Sequence, residues 1–235
     1  MNFEICVTNL QSALGAQKGG AQRIELCAAL DVGGLTPSLG LIRAVIKALE
    51  IPVHVLIRPR EGDFCYTEGE LAIMLDDIQQ CRSAGAAGVV VGALTAEGLL
   101  DLPKMKAMKA AAGNLEVTCH RAFDFTLDPM KSLEQLIDIG FQRVLSSGQS
   151  DSAFNGRFLL QKLLEQAKGR ITVMPGAGIN AQNIRAIAEF TGAEDFHFTG
   201  KKKVLASGER DIPGLEAWHW ESKEEAIREI ITAIA

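Results

Sequence analysis

The chain has 235 residues, a length that suits one large domain or two small ones and is typical of a single α/β barrel. Hydrophobic residues make up 47% and charged residues 23%, which is ordinary for a globular protein with a sizeable core. The net charge of −5 argues against a nucleic-acid partner, because nucleic-acid-binding proteins usually carry a basic excess or a basic stripe.

The N-terminal sequence MNFEICVTNL lacks the basic and then apolar pattern of a signal peptide, and no apolar run is long enough to span a membrane. We therefore expect a cytoplasmic protein with no membrane partner. The cysteines are odd in number and scattered along the chain: Cys6, Cys27, Cys65, Cys81 and Cys119. A chain of this length does not need disulfides to fold, so we predict that all of them are reduced thiols.

Short β-rich apolar runs alternate with longer stretches of helical spacing along the whole chain. The predicted strands are Phe3–Thr8, Arg23–Ala28, Val53–Arg58, Gly88–Gly92, Glu116–His120, Arg143–Ser147, Ile171–Met174 and Asp195–Thr199. Helices are predicted after Ser38, over Glu70–Ala84, from Asp128-Pro129 onward, over Asn180–Phe190 and over Lys223–Ala235. This alternation predicts a parallel sheet covered by helices.

A closed barrel and an open doubly wound sheet both satisfy that pattern. Glycines recur just before several strands, at Gly20, Gly85, Gly140 and Gly192, which indicates a repeated unit in which glycine ends each helix. No GxGxxG follows the first strand, where a dinucleotide-binding sheet would carry it. We therefore predict an α/β fold of the (β/α)8 TIM-like barrel type.

No linker or shift in composition divides the chain, so the prediction is a single domain over residues 1–235. An irregular segment at about 201–222 is expected before the last helix. Within it, the run Lys201-Lys202-Lys203 is typical of a solvated loop. The segment Trp218–Trp220 is a candidate contact surface for a second subunit.

Side chains alternate across a strand, so one parity of each barrel strand points into the lumen. In five strands one parity is polar, and the predicted lumen set contains Glu4, Cys6, Glu25, Cys27, His54, Arg58, Glu116, Thr118, His120, His197 and Thr199. Burying charged groups costs several kcal/mol each unless they are paired. Two interpretations stay open: a structural network, pairing for example Glu25 with Arg58 or Glu4 with a histidine, and a chemical site at the strand ends.

Polar residues gather at the carboxyl ends of the predicted strands, where TIM barrels carry their chemistry. Arginines there favour a carboxylate or phosphate ligand, because guanidinium matches both groups. The candidate catalytic residues are Glu25, His54, Arg58, His120, Arg121 and Asp124. Glycine-rich turns expose backbone N–H groups that bind anions. The candidate anion-binding residues are Ser147, Gly148, Gly176, Gly178, Thr199 and Gly200.

Several runs along the chain resemble the CutC family. They are Glu25–Ala28, Gly33–Ser38, Ile57–Arg60 followed by Gly62–Tyr66, His120–Asp124, Arg143–Leu145 with Ser147-Gly148, and Met174–Gly178. The runs occur in order from the first strand to about the eighth. The resemblance implies a TIM-like barrel that is cytoplasmic and dimeric, in a family named for copper homeostasis.

Two main hypotheses of function follow. In the first, Cys6 and Cys27 bind Cu(I), because they share the inward parity on adjacent strands and thiolates suit this soft ion. Cys65, on a loop at the same mouth, is a possible third ligand. In the second, the chain is an isomerase, epimerase or lyase acting on a small phosphorylated or carboxylated metabolite at the C-terminal barrel mouth. No lysine lies on a predicted strand, which disfavours a Schiff base.

A third hypothesis is a binding or interaction protein whose barrel has a degenerate pocket, since fold alone does not give function. The sequence therefore leaves open whether the protein is an enzyme. Its expected partners are a copper ion or a small anionic metabolite, together with a second copy of the chain.

Overall fold

The computed structural model describes residues 1–205 and 218–234, and the predicted strands form a parallel barrel in it. The barrel strands are β1 (Asn2–Val7), β2 (Arg23–Leu26), β3 (Val53–Leu56), β4 (Gly88–Val91), β5 (Glu116–Cys119), β6 (Arg143–Ser146), β7 (Thr172–Pro175) and β8 (Asp195–Phe198). Their order is β7-β6-β5-β4-β3-β2-β1-β8, and a parallel bridge between Gly176 and His197 joins the two edges. The predicted TIM-like barrel is confirmed.

Helices cover the outside of the barrel. They are α1 (Leu10–Gly19), α2 (Leu39–Ala48), α3 (Glu68–Ala84), α4 (Leu102–Ala112), α5 (Pro129–Ile139), α6 (Arg157–Ala167), α7 (Ile184–Thr191) and α8 (Glu224–Thr232). The α1, α4 and α6 helices were not among the helices that the spacing predicted. Left-handed glycines end α1, α3, α5 and α7, at Gly20, Gly85, Gly140 and Gly192, as the repeated glycine pattern indicated.

Two apolar layers lie on opposite faces of the strands. The outward parity packs against the helices and includes Ile5, Ile24 and Val117, all fully buried. The inward parity forms a separate, smaller cluster of Cys6, Cys27, Leu56 and Val90 inside the barrel. The predicted assignment of polar parity to the lumen and apolar parity to the helices is confirmed for these strands.

The segment predicted to be irregular begins and ends in strands. Strands β9 (Lys201–Leu205) and β10 (Trp218–Ser222) pair in an antiparallel hairpin. The prediction of a loop at Lys201–Lys203 is therefore wrong, although Lys202 and Lys203 are exposed to solvent as expected. Two lysine ammonium groups stabilise the pairing from above the indole rings: Lys201 Nζ lies 4.2 Å from the Trp220 ring centre and Lys203 Nζ lies 4.1 Å from that of Trp218. The rest of that segment, 206–217, lies outside the described residues.

None of the helices within 1–205 and 218–234 is both long enough and apolar enough to cross a lipid bilayer.

Candidate functional site

A cavity of about 450 Å³ opens at the carboxyl ends of the barrel strands. Its polar side chains are Cys6, Glu25, Cys27, Arg58, His120, Arg121, His197, Thr199 and Lys201, and its apolar side chains include Leu56, Phe64 and Phe198. Four of the predicted catalytic residues, Glu25, Arg58, His120 and Arg121, therefore meet in one cavity. His54 and Asp124, also predicted, lie outside its lining.

The two cysteines of the copper hypothesis lie side by side at this cavity. In the register of β1 and β2, Cys6 pairs with Glu25, so Cys27 follows on the same face of the neighbouring strand. The Sγ atoms are 3.4 Å apart, and both residues are buried free thiols. Contact with Cys27, together with burial, raises the pKa of the Cys6 thiol well above its usual value. Cys6 is therefore protonated at neutral pH while no metal is bound.

Further donor atoms surround this sulfur pair. One ligand atom each from Cys6, Glu25 and His197 lie within 4.8 Å of one another, and all three residues are buried. The Nδ1 atom of His197 is 2.8 Å from a Glu4 carboxylate oxygen, whereas its Nε2 atom is 3.5 Å from Glu25. A carboxylate behind the imidazole is the usual arrangement around metal-binding histidines, because it orients the ring. The arrangement provides soft sulfur donors with an imidazole beside them.

A buried carboxylate, Glu4, organises the lower part of this site. It accepts a hydrogen bond from Nε of Arg23 as well as the contact from His197. Burial by itself would raise the pKa of Glu4, but the hydrogen bond from His197 and the charge of Arg23 hold it well below its usual range. The predicted pairing of Glu4 with a histidine is confirmed, whereas the suggested pair of Glu25 with Arg58 does not form.

The pKa values of Glu25 and His197 are both raised within this network, for different reasons. Burial raises the pKa of Glu25, and the nearby charge of Glu4 adds to that effect. Burial would lower the pKa of His197, but the charge of Glu25 and the hydrogen bond to Glu4 raise it overall. The two groups, 3.5 Å apart, are therefore neighbouring titratable side chains with shifted pKa values at the cavity wall, a combination common at functional sites.

His54 lies deeper in the barrel than the cavity. Its side chain is fully buried, with Nδ1 3.9 Å from Glu4 and Nε2 3.3 Å from Glu116, which also pairs with Arg143 at 2.6 Å. The close approach of His54 and the hydrogen bond from Arg143 lower the pKa of Glu116 to about 2, against the opposing effect of burial. His54 is the first inward residue of β3, so it lies in the lumen near the amino ends of the strands. There it contacts Glu4 and Glu116 and does not reach the cavity.

Arg58 joins the loops that follow β2 and β3. Its Nη1 donates to the carbonyl oxygens of Val32 at 2.9 Å and Gly34 at 3.0 Å, and its Nη2 donates to that of Gly62 at 2.9 Å. The guanidinium carbon lies 5.0 Å from the centre of the Phe64 ring. These contacts hold a cation at the cavity wall.

His120 is a neutral imidazole. Its Nδ1 accepts a hydrogen bond from the backbone N–H of Ala122 at 3.1 Å, so the ring proton is on Nε2. Burial, reinforced by the positive charge of Arg58, lowers the pKa of His120 to about 3. At neutral pH this side chain is suited to donate a hydrogen bond and poorly suited to accept a proton.

Asp124 ties together the loops after β5 and β6. It accepts hydrogen bonds from Ser146 Oγ at 2.5 Å, from the backbone N–H of Ser147 at 3.0 Å and from Arg121 Nε at 2.9 Å. Ser147 Oγ in turn donates to the carbonyl oxygen of Ser150 at 2.6 Å. The polar atoms of Asp124 and Ser147 are thus used in hydrogen bonds that stabilise the loops after β5 and β6.

Three of the predicted anion-binding glycines have a packing role. A Cβ atom at Gly148 would lie 2.2 Å from the carbonyl oxygen of Gly156, one at Gly176 would lie 2.4 Å from Leu145, and one at Gly200 would lie 2.6 Å from Ile227. Close approach of this kind requires glycine without any ligand. Gly178 and Thr199, in contrast, line the cavity.

The candidate set predicted from the sequence omitted two polar side chains that line the cavity, those of His197 and Lys201. His197 has the same inward parity as Thr199 in the last strand, and that parity was the available signal. Lys201 was assigned to a solvated loop, but its position as the first residue of β9 brings it to the cavity. The sequence pattern did not predict β9, so the position of Lys201 at the cavity became apparent from the pairing of β9 with β10 in the structure.

The chain matches the family model described as "CutC family" over residues 1–202. It is 48% identical over 199 residues to the human "Copper homeostasis protein cutC homolog", covering 85% of this chain and 73% of the human protein. It is also 48% identical to the CutC family protein of Pasteurella multocida, covering 86% and 82% of the two chains.

Two solved structures show the same barrel. The structure of CutC from Streptococcus agalactiae superposes with a TM-score of 0.82 at 35% identity, covering 85% of this chain and 98% of that one. The phosphoribosylanthranilate isomerase of Thermotoga maritima superposes with a TM-score of 0.60 at 13% identity, over 100% of this chain and 98% of that one, which shows a shared fold alone. Barrel, motifs and relatives agree, and the chain belongs to the CutC family.

Proposed function

We propose that the protein binds Cu(I) as cargo between Cys6 and Cys27, inside the barrel. The observation that carries the proposal is the 3.4 Å separation of the two buried sulfur atoms. Cu(I) is a soft ion that prefers thiolate ligands, and two thiolates satisfy it in linear coordination. Binding replaces the proton on each thiol that is protonated with the metal.

The surroundings of the sulfur pair support this proposal. His197 is held by Glu4 and is close enough to act as a third donor through Nε2, together with a carboxylate from Glu25. Cys65, the third cysteine suggested by the sequence, is half-buried and does not line the cavity. The copper homeostasis name of the human relative is consistent with a copper ligand for this chain.

An anaerobic competition titration against a Cu(I) chelator tests the site. We expect one Cu(I) per chain for the parent. The Cys6→Ser, Cys27→Ser variant should bind it more than about 100-fold more weakly, because loss of residues that merely orient a metal ligand already costs about 10–100-fold. The matched control is Cys81→Ala, Cys119→Ala, which removes two buried thiols from the layer between barrel and helices. Equal affinity of the parent and the serine variant would refute the proposal.

We also propose that the chain functions as a single domain in the cytoplasm and as a homodimer. The free state of all five cysteines supports a reducing compartment. The Trp218 and Trp220 rings pack edge to face at 5.2 Å on the hairpin and form part of the candidate subunit contact. Light scattering at micromolar concentration should report twice the mass of one chain, and a monomer would contradict the dimer.

A further inference from the structure

Arg58 is a buried cation that no carboxylate neutralises within residues 1–205 and 218–234. The residue is 5% exposed, and its three hydrogen bonds go to backbone carbonyls. Within the part of the chain that the structure describes, no Asp or Glu oxygen lies within 4.0 Å of its guanidinium, and its Nε has no partner. The neighbouring Tyr66 hydroxyl is neutral, since burial raises its pKa to about 12. A buried charge without a counter-ion is costly, so this cation favours an anionic ligand.

His120 supplies a second free donor on the same wall. The proton is on Nε2, and this atom has no hydrogen-bond partner among the described residues although the side chain is 5% exposed. The Nδ1–Cε1 edge of the ring packs against Gly92, where a Cβ atom would lie 2.5 Å from Cε1. His120 lines the cavity, and Nε2 is its buried ring nitrogen without a partner in the described residues. An unpaired buried donor of this kind favours an acceptor oxygen.

Phe64 connects these two groups. Its ring centre lies 5.0 Å from the His120 ring and 5.0 Å from the guanidinium carbon of Arg58. The three side chains therefore form one continuous wall with a single positive charge and a neutral N–H donor. Two other cations line the cavity, but Arg121 pairs with Asp124 and the Lys201 ammonium lies over the Trp220 ring. Arg58 has no carboxylate partner in the described residues, so it suits one carboxylate, and the aromatic ring beside it suits an apolar body.

We infer that the cavity above the sulfur pair binds a small organic monocarboxylate, with its carboxylate held by Arg58 and His120 and its apolar part against Phe64 and Leu56. A volume of about 450 Å³ lies in the lower part of the range of ligand pockets. A phosphate ester fits less well at the glycine turns, because the backbone N–H groups of Gly148 and Gly176 already donate to Ser146 Oγ and to the Ser146 carbonyl oxygen.

Calorimetric titration of copper-free, reduced protein tests the inference. The probes are isobutyrate, benzoate and 3-phenylpropionate, each with its neutral amide, and inorganic phosphate. We expect at least one carboxylate to bind with a dissociation constant of about 1 mM or tighter, and its amide and phosphate to bind at least about tenfold more weakly. Failure of all three carboxylates, or equal binding of the matching amide or of phosphate, would overturn the inference.

Variants locate the site. His120→Phe should weaken binding of the carboxylate at least about tenfold, and His120→Asn, which keeps an N–H donor, should recover part of that loss. The matched control is His219→Phe, the same substitution at a histidine whose side chain is 56% exposed on β10, and it should bind like the parent. Equal weakening by both His→Phe variants would place the carboxylate elsewhere.

A measurement on the parent protein keeps the test independent of folding. In protein labelled with ¹⁵N-histidine, the carboxylate should shift the Nε2 resonance of His120, while Nδ1 keeps the shift of an unprotonated nitrogen. An unchanged Nε2 resonance at saturating carboxylate would refute contact with His120. Since these titrations contain no copper and the Cu(I) titration contains no carboxylate, either proposal can fail without the other.

Discussion

Replacing Glu4 with alanine is expected to destabilise the protein by about 3–5 kcal/mol, because removal of one member of a buried charge cluster leaves the others unpaired. The Glu4 side chain is fully buried, and the Arg23 side chain that donates to it is 10% exposed. His197 would also lose its 2.8 Å contact. Urea unfolding of parent and variant, with equal slopes, gives the difference.

A matched control is Glu134→Ala, which breaks an ion pair of Glu134 and Arg170 whose side chains are 40% and 45% exposed. Exposed pairs contribute little to stability because water and salt screen them. We therefore expect the control to unfold close to the parent. Equal losses in the free energy of unfolding for Glu4→Ala and Glu134→Ala would show that burial of the Glu4 ion pairs does not increase their contribution to stability.

The stabilisation from Glu4 also depends on pH. The folded-state pKa of this carboxyl is depressed below its ordinary value of 4.5, so the unfolded chain takes up the proton first as the pH falls. The contribution of Glu4 to the free energy of unfolding is complete above about pH 4.5 and is lost as the pH falls towards the folded-state pKa. The gap in stability between parent and Glu4→Gln should therefore narrow below about pH 4.5.

Cu(I) affinity is expected to rise at least about tenfold for each unit of pH, or about 100-fold between pH 6 and pH 8, because binding releases at least one proton. The reason lies in Cys6, whose raised pKa keeps the thiol protonated throughout this range. The competition titration, repeated at several pH values and corrected for the proton affinity of the chelator, measures the slope.

Direct proton counting provides the check on this slope. Adding Cu(I) to weakly buffered protein should acidify the solution by at least one proton per bound ion, and the Cys81→Ala, Cys119→Ala variant should release the same number. An affinity that stays constant between pH 6 and pH 8 would mean that neither cysteine loses a proton to the metal. That result would exclude thiolate binding at the sulfur pair.

The sequence by itself determined the barrel, the order of its strands and the face on which each strand residue lies. Those properties depend on local periodicity: strand side chains alternate every second residue, and glycines end the helices at fixed places. For the same reason the sequence was sufficient to bring Cys6 and Cys27 together, since both are inward residues of adjacent parallel strands.

Only the tertiary structure decided the depth of each inward residue and the partner that it finds. His54 and His120 share the inward parity, yet His54 lies below the cavity with Glu116, and His120 lies at the mouth beside Arg58. Parity defines a face, whereas height in a barrel depends on where each strand begins relative to its neighbours. Likewise, Gly200 packs against Ile227, a residue distant in sequence. The local sequence pattern around a glycine turn does not show whether the turn binds an anion or packs against such a residue.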